Sequence, residues 1–181
     1  MAAETKQQLK DIFTDLTEKS GETVTISTLT KHCCISRQTF YYYFRDVQDV
    51  AESVIRDHIA DMAKQCLLLE TPRDIIHFLL ETLYADNVLK RYLDQEPMRK
   101  NFFAFLNRKM SDIVYRILML QDPDSLRLPP EKLEQFLDWW SHGMTSYVLY
   151  ILCAPERPDP DVLTERLDHL LRTAFLAMHL S

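Results

Sequence analysis

The sequence predicts an all-α fold of about nine helices, in which an N-terminal helix-turn-helix domain of three helices precedes a C-terminal helical bundle. The chain of 181 residues contains only two glycines, Gly21 and Gly143, whereas sheet-rich chains need glycine at many tight turns. Apolar residues recur at helical spacing along most of the chain. The eight prolines begin only at Pro72 and fall where a helix would start or a loop would run.

The first helix is predicted from about Lys6 to Lys19. Its apolar residues repeat at i, i+3, i+4 and i+7: Leu9, Ile12, Phe13 and Leu16. Thr5 and Gln8 fit a capping box at its start. Gly21 follows its end, where a left-handed C-cap favours glycine.

Two short helices joined by a tight connection are predicted next. Thr25 is the expected N-cap of the first, and Cys33 is the small residue expected where the two helices cross. Cys34-Ile35 forms the connection, Ser36 is the next N-cap, and the second helix covers Arg37 to about Tyr43. The residues expected to face inward are Ile26, Leu29, Ile35, Phe40 and Phe44. This arrangement is the helix-turn-helix pattern.

Asp46 is the expected cap of a fourth helix over about 47–66, which links residues 1–46 to a second domain over 47–181. The further predicted helices cover about 72–85, 86–93, 97–120, 131–153 and 160–179. The fifth is apolar nearly all round, which is typical of a central helix.

Several enzyme classes are excluded by the shortage of glycine. The chain has no phosphate-binding loop, no dinucleotide-binding turn and no nucleophile elbow. The candidate carboxylates, Asp57, Asp61 and Glu81 among them, lie on faces expected to be solvated. The four cysteines and six histidines show no metal-ligand spacing. We therefore expect no catalytic residues, no metal site and no cofactor.

The formal net charge of −6 belongs to the residues after 46, because residues 1–46 carry as many basic as acidic side chains. No acidic residue lies between Glu22 and Asp46, an interval that contains Lys31, Arg37 and Arg45. The chain opens with no charged-then-apolar leader and has no apolar run of membrane-spanning length. We expect a cytoplasmic protein with no membrane partner.

The second helix of the helix-turn-helix carries polar and aromatic side chains on its outer face. Arginine and glutamine at its start can bind guanine or adenine edges, and tyrosine hydroxyls can bind phosphates. The outward residues are Arg37, Gln38, Thr39, Tyr41, Tyr42 and Tyr43. The pattern therefore predicts that the partner is double-stranded DNA.

About the first 60 residues resemble the DNA-binding domain of the TetR family of bacterial transcription regulators. The resemblance is carried by Thr25, the turn that ends at Ile35-Ser36, and the run Arg37-Gln38-Thr39-Phe40-Tyr41-Tyr42-Tyr43-Phe44. A weaker resemblance points to regulators of dihydroxyacetone-kinase operons. The sites implied are DNA contacts: Thr25, Ser36, Arg37, Gln38, Thr39, Tyr41 and Tyr42. The sequence departs from the family at Cys34, where glycine is usual, and at Val47, where a phosphate-binding lysine is usual and for which Arg45 is a substitute.

The same resemblance implies an effector pocket and a dimer interface in the C-terminal domain. Phe102, Phe103, Tyr115 and Trp140 are the candidates for a pocket that binds a small apolar or aromatic effector, although for any single one of them a place in the core is the favoured interpretation. The dimer candidates lie on the last two helices, and Gly143 suggests close packing of helices: His142, Gly143, Tyr147, Leu170 and Ala174.

The function expected is a homodimeric regulator that binds a pseudo-palindromic operator and whose DNA affinity changes with an effector. The alternative is a regulator controlled by a partner protein that docks on the C-terminal domain.

Overall fold

A computed structural model describes residues 2–19, 24–93, 96–121 and 129–178. Over these ranges the chain forms nine helices and no strand, so the all-α prediction is confirmed. The helices are α1 (Ala2–Lys19), α2 (Ile26–His32), α3 (Arg37–Tyr43), α4 (Val47–Leu68), α5 (Pro72–Ala85), α6 (Asn87–Leu93), α7 (Glu96–Gln121), α8 (Pro130–Leu152) and α9 (Pro160–Met178). None of these helices is long and apolar enough to cross a membrane.

The chain divides into two compact units. The first contains α1, α2, α3, the part of α4 up to His58, and α6. The second contains α4 from Ile59 onward, α5, α7, α8 and α9. Helix α6 packs on α1, although the elements on either side of it along the chain, α5 and α7, belong to the second unit.

The start of α1 differs from the prediction. The helix begins at Ala2, so Thr5 and Gln8 lie inside it and do not form the capping box expected there. Two alanines and the acidic Glu4 favour an earlier start, because alanine has the highest helix propensity and an acidic side chain stabilises the first turn. Gly21, the predicted C-cap, lies outside the described residues.

Each helix of the first unit contributes buried apolar side chains to its core. Leu9 and Phe13 of α1 are buried, as are Phe40 of α3 and Val54 of α4. Asp46 Oδ1 accepts a hydrogen bond from the backbone N–H of Asp49 at 2.8 Å, which confirms the predicted cap of α4. The helix continues to Leu68, two residues past the predicted end.

The second unit is built on α5, which packs against α7 and α9, while α7 packs against α8. Pro72 occupies the first turn of α5, as predicted, and Thr71 before it is the N-cap. The buried apolar side chains of α5 are Ile75, Ile76, Leu79, Leu80 and Leu83. Arg157 donates hydrogen bonds to the carbonyl oxygens of Tyr84 (3.3 Å) and Leu152 (3.1 Å) and so satisfies the ends of both α5 and α8.

Candidate nucleic-acid interface

The buried inner face of helix α3 determines which of its side chains point outward. Phe40 is fully buried and Phe44 is 3% exposed, and their ring centroids lie 6.2 Å apart. Leu29 of α2 and Cys33 at the helix crossing complete this small core. Because the inner side chains are packed, the outer side chains have a defined direction relative to α2.

Both predicted N-caps are confirmed. Thr25 Oγ1 accepts from the backbone N–H of Thr28 at 3.2 Å, and the Thr28 hydroxyl accepts from the backbone N–H of Thr25 at 2.9 Å. This reciprocal pair is a capping box with threonine at the third helical position. Ser36 Oγ accepts from the backbone N–H of Thr39 at 3.0 Å. The caps fix where α2 and α3 begin.

The turn between α2 and α3 requires a left-handed residue, and Cys34 is that residue, with φ of +53°. The backbone N–H of Cys34 bonds the carbonyl of Lys31 (3.3 Å), and that of Ile35 bonds the carbonyl of Thr30 (3.0 Å). These two bonds form a Schellman motif, whose C′ position is usually glycine. The turn therefore needs the left-handed backbone that explains why glycine is usual at this position. Here Cys34 adopts that backbone conformation, which is strained for a residue with a Cβ.

The outer face of α3 combines hydrogen-bond donors with exposed aromatic rings. Arg37 and Gln38 are exposed, Thr39 is half-buried, Tyr41 is 57% exposed and Tyr42 is 78% exposed. Tyr43 differs from the prediction, because its side chain is half-buried and its ring lies edge-on to that of Tyr42 at 4.9 Å. Exposed phenol rings on a seven-residue helix are suited to contact a sugar-phosphate backbone.

The charges around α3 are mostly positive. Lys6 of α1 lies over the Phe44 ring, with its Nζ 5.5 Å from the centroid. Arg45 is strongly exposed, but its Nε lies 3.7 Å from Asp49 Oδ2, and this carboxylate also accepts from the Arg45 backbone N–H at 3.0 Å. The exposed Arg45 guanidinium thus has an acidic neighbour, whereas Val47, at the position of the usual lysine, is half-buried and apolar.

One contact at this face was not anticipated from the sequence. Arg37 Nη2 donates a hydrogen bond to Ser27 Oγ at 2.6 Å, which joins α3 to α2. The one sequence signal was that Ser27 lies two residues after the Thr25 cap, at the start of α2. The pairing depends on how the two helices cross, so no local spacing rule predicts it.

The candidate pocket residues of the C-terminal unit are spread along α7 and α8. Phe102 is buried, and the ring of half-buried Phe103 lies 5.9 Å from the ring of His142 on α8. Trp140 is half-buried, 5.8 Å from the Phe136 ring. Tyr115 is 40% exposed. It lies farther along α7, about 18 Å beyond Phe103 at the helical rise, so the structure does not bring it to the same place.

Some buried polar atoms of the same unit have no hydrogen-bond partner in the described part of the chain. They are His77 Nδ1, Tyr84 Oη, Arg116 Nε, both polar side-chain atoms of Gln121, and Asp168 Oδ1. Burial raises the pKa of Tyr84, and the nearby Arg157 opposes that rise. Unsatisfied buried groups are uncommon in folded proteins and are candidates to bind a ligand or water.

The candidate dimer residues His142, Gly143 and Tyr147 lie on α8, and the last two share an exposed face with Trp139 and Tyr150, which were not predicted. Trp139 (82% exposed), Gly143, Tyr147 (37%) and Tyr150 (72%) follow one another at spacings of three or four residues, so they share one side of the helix. A Cβ added to Gly143 would meet no atom within 4 Å in the described chain. On α9, Leu170 is 55% exposed and Ala174 is half-buried. His142 Nδ1 lies 3.2 Å from Asp138 Oδ1.

No family model matches the sequence, and no curated protein matches it. Solved structures do match it. The dihydroxyacetone kinase operon activator DhaS aligns over 94% of this chain and 95% of its own, with a TM-score of 0.68 and 15% identity. The TetR-family repressor AlkX from Dietzia sp. strain DQ12-45-1b aligns over 95% of both chains, with a TM-score of 0.59 and 16% identity.

The chain has the TetR/AcrR fold. A transcriptional regulator of this group from Aquifex aeolicus VF5 adds a third match, with a TM-score of 0.55 and 16% identity over 96% of this chain and 99% of that one. Both resemblances expected from the sequence, to TetR-family regulators and to a dihydroxyacetone-kinase operon regulator, are confirmed in the fold.

Proposed function

We propose that the chain is a DNA-binding transcription regulator that inserts α3 into the major groove. The observation that supports this most is the outer face of α3, which carries exposed guanidinium, carboxamide and phenol groups on a capped helix-turn-helix. DNA binding is assigned to residues 1–46, and effector binding and dimerisation are assigned to residues 47–181, although residues 47–58 and 87–93 pack in the first compact unit together with residues 1–46. The similarity in fold to regulators named as a repressor and as an activator supports regulation without fixing its sign.

Two kinds of DNA contact follow from the side chains. Arg37, Gln38 and Thr39 read base edges, because their donors and acceptors stand at the start of α3. Phosphates are bound by Thr25, Ser36, Tyr41, Tyr42 and Arg45. The hydroxyl oxygens of Thr25 and Ser36 already accept cap hydrogen bonds and lie 2.8 Å and 2.9 Å from the hydroxyls of Thr28 and Thr39, so a phosphate competes with those neighbours for the hydroxyl protons. The Arg45 contribution is reduced by its neighbour Asp49.

The test is selection of duplexes from a random library by the purified full chain, followed by titration of the selected duplex. Arg37→Ala is expected to relax preference at one base position, whereas Tyr42→Phe should weaken binding to all duplexes alike. Tyr115→Phe, at an exposed tyrosine of α7 outside α3 and outside the proposed dimer face, is the control and should change neither. Failure to select any duplex at low salt would refute the proposal.

The proposed active form is a homodimer on a pseudo-palindromic operator. Support comes from the exposed α8 face with Trp139, Gly143, Tyr147 and Tyr150, because aromatic side chains are enriched in interfaces. Two copies would present two α3 helices to half-sites one helical turn of DNA apart, or a multiple of it. Sedimentation of the full chain at micromolar concentration tests this, and a monomer bound singly to a half-site would contradict it.

Control is proposed to come from a small apolar or aromatic effector between α7 and α8, beside Phe102, Phe103 and Trp140. The unsatisfied atoms of Arg116 and Gln121 lie about 20 and about 27 Å farther along α7 than Phe103 at the helical rise, so they are not part of this site. Trp139→Phe leaves Trp140 as the one tryptophan, so its fluorescence reports on this region. Titration with small aromatic alcohols, 1-naphthol first, should quench it and lower DNA affinity; quenching without any effect on DNA would contradict effector control.

The alternative is control by a partner protein, and the exposed aromatic face of α8 also favours it. A chain that stays monomeric and binds its selected duplex only when a second protein is added would replace the homodimer with this alternative.

A further inference from the structure

We infer that Ser27 is a positioning residue that holds the Arg37 guanidinium in the direction required to read a base. The inference rests on the proposed DNA-binding function of α3 and adds to it a residue that none of the sequence patterns assigns. Its basis is the hydrogen bond from Arg37 Nη2 to Ser27 Oγ, 2.6 Å long, which joins the first turn of α3 to the first turn of α2.

Both residues of this bond lie at helix starts whose positions are fixed by N-caps. The Thr25–Thr28 capping box sets the start of α2 immediately around Ser27, and the Ser36 cap sets the start of α3 immediately before Arg37. Between the helices, the Schellman closure at Cys34 and the buried Leu29 and Phe40 fix the crossing. The hydroxyl oxygen therefore stands at a defined point relative to α3, and the guanidinium bonded to it is oriented rather than free to sample its rotamers.

A hydroxyl is suited to orient an arginine without neutralising it. A carboxylate in the same place would form an ion pair that DNA must break, as Asp49 does beside Arg45. No acidic residue occurs between Glu22 and Asp46, so Ser27 offers a neutral acceptor within an acid-free segment. The guanidinium has five N–H donors, and the bond to Ser27 leaves donors available for a guanine edge.

The Ser27 hydroxyl acts on DNA binding only through Arg37. Its Oγ accepts from the Arg37 guanidinium, and both side chains are exposed at the same surface. Removal of the hydroxyl therefore leaves Arg37 in place but without the acceptor that orients it.

The test uses the full chain and the duplex that the wild type selects from a random library. Ser27→Ala is expected to weaken binding to this duplex by about threefold to tenfold, the cost of ordering one arginine side chain at the moment of binding. Binding to an unrelated duplex should be nearly unchanged. Ser27→Thr retains a hydroxyl and is expected to restore most of the affinity. Alanine at this exposed helical position does not threaten folding, because its helix propensity exceeds that of serine.

The decisive measurement is a double-mutant cycle with Arg37→Ala. If Ser27 acts through Arg37, Ser27→Ala changes affinity less than about twofold once Arg37 is alanine, because distant or uncoupled effects add and coupled ones do not. The same loss in both backgrounds would overturn the inference, as would tighter binding by Ser27→Ala, which would mean that Ser27 holds Arg37 away from DNA.

A readout without DNA separates this inference from the proposed function. In the free protein, the ¹⁵N NMR signals of the Arg37 guanidinium should show hindered rotation that is lost in Ser27→Ala and retained in Ser27→Thr. Hindered rotation in a chain that selects no duplex would refute the DNA-binding function and leave the contact intact. Unhindered rotation in a chain that does select a duplex would refute the positioning role alone.

Discussion

Cys34 occupies the position where the helix-turn-helix needs a left-handed backbone. Its φ of +53° lets the N–H groups of Cys34 and Ile35 bond the last carbonyls of α2. A side chain at such a φ is strained by contact between Cβ and the following carbonyl. The turn keeps its geometry because the flanking Leu29 and Phe40 are fully buried.

Replacement of Cys34 by glycine is expected to stabilise the protein by about 0.5–1 kcal/mol, because the relief of strain exceeds the added entropy of the unfolded chain. The urea midpoint should rise without a change in slope. Cys153→Gly is the matched control, since Cys153 is also exposed and has φ of −91°. There the same change should lower stability, so a fall in both variants would contradict the account of the turn.

The four thiols are expected to react unequally. Cys33 and Cys66 are buried and Cys34 and Cys153 are exposed. Burial raises the pKa of the Cys66 thiol to about 12 and raises that of Cys33, so both remain protonated and unreactive near neutral pH. Ellman's reagent at about pH 8 should modify two thiols quickly in the folded protein and all four after denaturation. Fast reaction of all four in the folded state would contradict this burial.

Helix α4 is tied to two other helices of the first unit by polar contacts. Tyr92 of α6 donates its hydroxyl to Glu52 Oε1 at 2.9 Å, and Lys10 of α1 bonds Asp57 Oδ2 at 2.6 Å. Burial, followed by the bond to Glu52, raises the pKa of Tyr92 above its usual range. The tyrosine therefore remains a neutral hydrogen-bond donor. Its bond to Glu52 links α6 to α4 within the first unit, which also contains α3.

Tyr92→Phe should destabilise the first unit by about 1 kcal/mol, the usual worth of one partly buried hydrogen bond. Because the folded pKa of Tyr92 is raised, its stabilisation is complete below about pH 10 and decreases as pH rises through the folded value. Urea unfolding of the wild type and of Tyr92→Phe at about pH 7 and about pH 11 measures this, and the difference in unfolding free energy between them should be smaller at the higher pH. Tyr115→Phe, at an exposed tyrosine of α7 in the second unit, serves as the control. An equal effect of the two substitutions would contradict a specific bond.

The helices were largely predictable because their signals are local. Pro72 marked the start of α5, and Ser36 marked the start of α3. The start of α1 was missed because several good helix formers precede Thr5 and no cap marks the boundary. The packing of α6 on α1 was also not predicted, since it depends on contacts across the chain rather than on any spacing within α6.

The candidate DNA-binding face was predictable only in part. The alternation of buried Phe40 and Phe44 with polar residues gave the outer face of α3 correctly. It also suggested that three tyrosines point outward, whereas Tyr43 is half-buried beside Tyr42. Three consecutive residues of a helix span 200°, so one of them must turn toward a neighbour. The Arg37–Ser27 bond required the crossing of two helices and was beyond any sequence rule.

At the scale of the whole molecule, the proposed dimer predicts opposite effects at Gly143. Open space surrounds its Cβ position in the single chain, so leucine there should leave the fold intact and increase helix stability by about 0.5–1 kcal/mol. The same leucine should obstruct close approach of a second α8 and weaken the dimer. Sedimentation paired with thermal unfolding measures both effects, and Leu68→Ala, at an exposed leucine of α4, is the control. A dimer unaffected by leucine would exclude this face.

Whether α3 reads DNA is decided by the affinity of the full chain for the duplex it selects, compared with that of Arg37→Ala. We expect specific binding by the wild type and, for the variant, a loss of about 1–3 kcal/mol with relaxed preference at one base position of each half-site. Equal affinity of the wild type and the variant across all duplexes, or no selected duplex at all, would contradict it.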